Sequence, residues 1–153
     1  MSENDWKAYG AIARRYVGSR LEVSVATNSL KLWPTNQPRK GRYVWIDPPW
    51  RLLRGDEVIV SGSDYPDHSE ASYAPQFAAF CDRLSAIRQS RLEDVRYVGE
   101  DATEFAFRHN LRLLVLHQAA GPDAADWYDD WYARDDEMGA RGAVEQGDEA
   151  DER

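Results

Sequence analysis

The chain has 153 residues, 42% hydrophobic and 12% aromatic, a composition that fits a folded protein and excludes a disordered one. Its longest apolar runs are a few residues, too short for a membrane-spanning helix, and a single cysteine, Cys81, excludes an internal disulfide. The net charge of −8 is uneven: residues 1–120 hold 16 Lys+Arg and 15 Asp+Glu, whereas residues 121–153 hold 3 Arg and 12 Asp+Glu.

In chain order, Trp6, Tyr9, Ile12, Ala13, Tyr16 and Val17 recur at three-to-four spacing and predict a first helix, with Ser2 or Asn4 at its start and Gly18 at its end. LEVSV (21–25) and LKLW (30–33) alternate as strands around a Thr27-Asn28-Ser29 turn. PTNQPRKG (34–41) reads as a loop, YVWI (43–46) as a third strand stopped by Pro48-Pro49, and EVIVSG (57–62) as a fourth. Tyr73, Phe77, Phe80, Cys81, Leu84 and Ile87 form the stripe of a second helix, with Ser72 as its cap. The strands LEDVRYVG (92–99), TEFAFR (103–108) and LRLLVLH (111–117) follow, the last two joined at His109-Asn110. The opening MSENDWKAYG has no basic-then-apolar leader, so a cytoplasmic location is expected.

Ser19-Arg20-Leu21-Glu22 recurs as Ser90-Arg91-Leu92-Glu93. Each copy follows a helix and opens a run of strands, and each run ends near tryptophan: Trp50 in one, Trp127 and Trp131 in the other. The expected fold is therefore α+β: two helix-plus-antiparallel-meander units, an internal duplication, around one core. Residues 1–137 form that domain, with repeat-like halves at about 4–60 and 72–132, and residues 138–153 form a disordered acidic tail.

IDPPWR (46–51) resembles the catalytic motif of amino-methyltransferases of the adenine-N6 type. That resemblance implies that Asp47 holds a target amine while Trp50 stacks on a flipped base. The glycine-rich turn such enzymes use for their methyl donor is missing, as is an alternation of strands and helices. The stretch is therefore read as a strand stop followed by a hydrophobic plug, with Asp47 capping the turn or pairing with Arg42 or Arg51. No catalytic residue, metal or cofactor is assigned. His68, His109 and His117 lack metal-site spacing, Cys81 falls on a core stripe, and Ser61 and Ser63 lack a nucleophile elbow.

The segment Trp127-Tyr128-Asp129-Asp130-Trp131-Tyr132 alternates rings with acids. On a helix Trp127 and Trp131 share one face. Size, acidity and absent motifs resemble the small immunity proteins of bacterial toxin systems. The resemblance implies a non-catalytic module that binds a basic toxin or effector domain. The acidic tail repels phosphates and the apolar runs are short, so neither nucleic acid nor membrane is an expected partner. The expected contacts are Trp127, Asp129, Asp130, Trp131, Asp135 and Asp136, with Asp64 and Asp67 next. The alternatives are a nucleobase-directed enzyme using Asp47 and Trp50, and a regulatory subunit docking through a sheet edge.

Overall fold

A computed structural model of the chain describes residues 3–37, 40–99, 101–118 and 130–137. It opens with helix α1 (Glu3–Arg14), followed by strands β1 (Leu21–Ala26), β2 (Ser29–Pro34), β3 (Arg42–Ile46), β4 (Trp50–Arg54) and β5 (Glu57–Ser61). Helix α2 (Tyr73–Leu84) and a 3-10 turn (Ser85–Gln89) lead to β6 (Leu92–Val98), β7 (Ala102–Phe107), β8 (Leu111–Leu116) and β9 (Trp131–Asp135). The strands make two antiparallel sheets, ordered β1-β2-β3-β9 and β5-β4-β8-β7-β6. The fold is α+β, as its residue pattern predicts.

The order of each sheet records an exchange. β4 follows three strands of the first sheet but pairs with β8, and β9 follows three strands of the second but pairs with β3. The two arrangements share a register. Leu30 faces Ile46 and Leu32 faces Val44 in one; Thr103 faces Val115 and Phe105 faces Leu113 in the other. Ile46 then faces Trp131 and Val44 faces Ala133, just as Val115 faces Trp50 and Leu113 faces Leu52. The flanking backbone bonds repeat as well. Asp47 N–H donates to Asp130 O at 3.0 Å and Leu116 N–H to Pro49 O at 3.0 Å. Thr35 N–H donates to Arg20 O at 2.9 Å and Arg108 N–H to Arg91 O at 3.0 Å. The two Ser-Arg-Leu-Glu segments meet each other, with an antiparallel bridge between Arg20 and Arg91.

Strand alternation turns one face of each sheet inward. Leu21, Val23, Leu30, Leu32, Val44 and Ile46 from the first sheet join Leu92, Val95, Phe105, Leu113 and Val115 from the second in one buried cluster. Trp50 and Trp131 belong to it, as do Trp6, Ala13 and Tyr16 of the α1 segment and Phe80, Leu84 and Ile87 of the α2 segment. Outer strands need cover because they present unpaired backbone groups. Here each half covers the other. Arg14, in the last turn of α1, donates to Val95 O of β6 at 3.0 Å, and Arg88, after α2, donates to Val23 O of β1 at 2.8 Å.

Three expectations need correction. Trp50 is not a plug beyond a strand stop: the prolines end β3, and Trp50 then opens β4 in the opposite sheet. Trp131 lies on a strand, where its backbone pairs with Ile46, rather than on a helix face shared with Trp127. Asp47 pairs with neither Arg42 nor Arg51; its Oδ1 accepts from Ser29 Oγ at 2.6 Å and Trp45 Nε1 at 2.8 Å. Trp127, Asp129 and the segment expected to be disordered from Met138 on lie outside the described residues.

Candidate functional site

The same alternation that buries one face of the first sheet sends Lys31 and Trp33 of β2, Tyr43 and Trp45 of β3, and Tyr132 and Arg134 of β9 outward, each partly exposed. The register lines them up. One row crosses all four strands as Ser24, Lys31, Trp45 and Tyr132. Beside it Glu22 faces Trp33, and Tyr43 faces Arg134.

These rings are locked together. Trp45 and Tyr132 stack with centroids 6.5 Å apart and planes 18° apart, and Tyr43 meets Tyr132 edge-on at 6.2 Å. Tyr9 of α1 reaches the same Tyr132 ring at 6.3 Å. The Tyr43 ring packs against Tyr132, and Arg134 stands opposite it across the strand pair. Burial, then the neighbouring Tyr43 and Asp47, pushes the Tyr132 phenol up to about 12, so it stays a neutral donor through the physiological range. The Asp47 carboxylate anchors Trp45 through the indole N–H. The Lys31 ammonium stands 4.1 Å from the Tyr43 ring centroid, where the negative ring face attracts a cation. Arg134 Nε donates to Asp136 Oδ1 at 2.9 Å. This arrangement offers rigid contact area, hydrogen-bonding rims and a ring face suited to cations.

The corresponding row of the second sheet is built differently. It runs Arg96, Glu104, Leu114 and Arg51. Glu104 stands between Arg96 at 3.7 Å and Arg112 at 3.9 Å, and Arg96 also meets Asp94 at 3.1 Å. The two sheets thus share a backbone plan, yet one outer face is aromatic and the other is laced with ion pairs.

Burial takes three expected contacts off the surface. Trp131 is 0% exposed, with its ring edge-on to Phe105 at 5.1 Å, because an indole at an inward strand position fills the core. Asp130 is 1% exposed; its Oδ1 accepts from Gln118 N–H at 3.0 Å. Asp135, 2% exposed, is 3.6 Å from Arg42 Nε and caps Glu137 N–H at 3.0 Å. Their carboxylates secure backbone and arginine groups, which is what a buried acid must do. Asp136 is exposed at the end of β9. Asp64 and Asp67 are exposed on the loop that leaves β5. There Asp64 accepts from Ser61 N–H at 2.9 Å. Asp67 accepts from Ser69 N–H at 3.0 Å, a bond that holds its carboxyl below the usual range.

The face itself went unrecognised in the sequence, although Tyr43 and Trp45 alternate with Val44 and Ile46, and Lys31 and Trp33 with Leu30 and Leu32. What the residue string lacks is the partner strand that brings Tyr132 beside Trp45. The stretch that resembles a methyltransferase motif turns Trp50 into the core. Trp50 is 1% exposed, lies 6.1 Å from Phe80 centroid to centroid, and donates its indole N–H to Asn28 O at 2.8 Å. Surface hollows among the described residues lie elsewhere. One of about 410 Å³ is lined by Asp64, Gln76, Phe80 and Arg83; another of about 370 Å³ is lined by Gly18, Arg91, Glu93 and Arg108. Among the described residues no group of three His, Cys, Asp or Glu is placed to hold a metal ion, and no helix is long and apolar enough to cross a membrane. Compared with protein-family models, curated proteins and solved structures, the chain matches none.

Proposed function

We propose that the chain is a non-catalytic protein-binding module whose recognition surface is the outer face of the first sheet, centred on Tyr43, Trp45 and Tyr132. The observation that carries this reading is the contrast between matching rows: Lys31, Trp45 and Tyr132 stand where the other sheet has Glu104, Leu114 and Arg51. We further propose that both halves derive from one helix-plus-four-strand unit by duplication. On that view shared inward residues answer to folding, whereas divergent outward residues answer to function. Rigid, partly exposed aromatic rings are the residues that dominate binding energy at protein interfaces.

Charge selects the class of partner. Residues 121–153 hold 3 Arg against 12 Asp+Glu, and β9, the strand that lends Tyr132 to the face, lies inside that segment. Acids that neighbour this strand in the sequence favour the approach of a basic protein. A basic toxin or effector domain, neutralised by being covered, fits this surface.

The test is capture from the native host on immobilised wild-type chain and on the Trp45→Ala, Tyr132→Ala double variant, with folding of both checked by circular dichroism. Support is a basic protein that the wild type retains, that the folded variant loses, and whose affinity for the wild type falls with salt once it is purified. Equal retention by both chains would reject this face as the surface.

A further inference from the structure

We infer that Lys31 is a resident cation, held on the Tyr43 ring until a cationic side chain of the partner replaces it. This rests on the reading of the first sheet's outer face as the surface for a basic protein, and it names what that face grips.

The Lys31 ammonium is 4.1 Å from the Tyr43 centroid and makes no ion pair among the described residues. Arg134 and Arg42, the other cations near the outer end of β9, are engaged: Arg134 with Asp136, and Arg42 with Asp135 and Glu137. Lys31 therefore rests on a ring where its neighbours rest on carboxylates. A cation over a single, partly exposed ring is weakly held and loses little by returning to water. Its four-carbon stem lets the head swing into solvent without moving β2.

Tyr43 is held beneath it by edge-on packing against Tyr132, and Tyr132 by stacking on Trp45. The receptor rings are thus organised in advance while their occupant rides on a flexible stem. An arriving guanidinium has two advantages over the ammonium. It is planar and stacks on rings, and it is less strongly hydrated. The partner's backbone, once docked, also holds it in place. Exchange of one cation for another leaves the ring face occupied throughout. Until exchange occurs Lys31 repels single stray cations.

The test is an NMR titration of the wild-type chain and of Lys31→Met and Lys31→Gln with hexa-arginine, with hexa-glutamate as control. In the free wild type the Lys31 ε-methylene protons should be shifted upfield by the Tyr43 ring current. Hexa-arginine should move them to solvent values and move the Tyr43 ring signals with them. Both variants, which keep the strand's outward position filled, should bind hexa-arginine about threefold tighter or more. Binding with the Lys31 signals unmoved and the variants unchanged would overturn the exchange while leaving the basic-partner reading standing. Hexa-glutamate seating on Lys31, or no binding of hexa-arginine at millimolar concentration, would overturn both.

Discussion

Trp50 and Trp131 hold one position in opposite sheets. Each is the first residue of the strand by which one half joins the three-strand meander of the other, and each is at most 1% exposed. Trp50 faces Val115 and gives its indole N–H to Asn28 O; Trp131 faces Ile46 and gives its own to Thr103 Oγ1 at 3.0 Å. The two indoles therefore fasten each half into the other's sheet.

Removing either indole should open both halves together. Trp50→Ala and Trp131→Ala are each expected to cost about 3–5 kcal/mol, the range for emptying a large core site. Urea unfolding followed by circular dichroism checks this, and a single cooperative transition should persist in each variant. A variant that lost one sheet while the other stayed intact would show that the indoles do not couple the halves.

Asp130 carries the same lesson for charge. Its carboxylate is buried and bound to Gln118 N–H, while its carbonyl takes the Asp47 N–H that joins β9 to the end of β3. Asp130→Lys is expected to destabilise the chain by about 3–5 kcal/mol, the penalty for a broken buried charge arrangement. Asp136→Lys, at an exposed site, should cost less than about 1 kcal/mol. Equal midpoints of denaturation for the two variants would contradict this placement.

Thr103 is the polar member of the inner row, standing where the first sheet has Leu30. It takes the Trp131 indole N–H and contacts His117 Nε2 at 2.7 Å. Thr103→Val keeps the shape and removes the hydroxyl. It should cost about 1–3 kcal/mol, because the indole N–H loses its acceptor inside the core. An unchanged unfolding free energy would mean that this bond contributes nothing net.

Legibility in the sequence followed range of interaction. Both helices, the hairpin partners β1–β2 and β7–β8, and the inward residues Leu30, Leu32, Leu113 and Val115 were readable, because each element's own periodicity sets them. The recurrence of Ser-Arg-Leu-Glu pointed to a shared order of elements. β4 and β9 were not readable as strands. Arg51 and Arg54 break up the apolar pattern of one, and Asp135 sits at a buried position of the other. Their pairing is with distant residues, so nothing local declares it. The aromatic outer face was hidden for the same reason: Trp45 and Tyr132 are neighbours only because of the exchange. Acids near the carboxyl end read as wet, yet Asp130 and Asp135 are buried, since each satisfies a specific donor that local composition does not show.

Tyr132 predicts an alkaline limit to stability. Its phenol titrates at about 12 in the fold against 10.0 for the unperturbed group. Between those values the folded chain keeps a proton that the unfolded chain has lost, so stability falls as pH rises from 10 to 12 and is complete below 10. Tyr16, raised chiefly by burial and then by Asp135, acts in the same direction. Urea midpoints at pH 9 and pH 11.5 should therefore drop for the wild type and drop less for Tyr132→Phe. An identical drop in both chains would remove Tyr132 from the account.

The central claim is that the outer face of the first sheet, and not its counterpart, meets a basic protein. The most direct measurement places a photo-crosslinking phenylalanine derivative at position 45 in one chain and at position 114 in another, both expressed in the native host. Trp45 and Leu114 occupy matching outward positions, so the pair compares the two outer faces at one register. The account predicts a crosslinked adduct with a basic protein from position 45 and none from position 114. An adduct from position 114 alone, or from neither position, would contradict it.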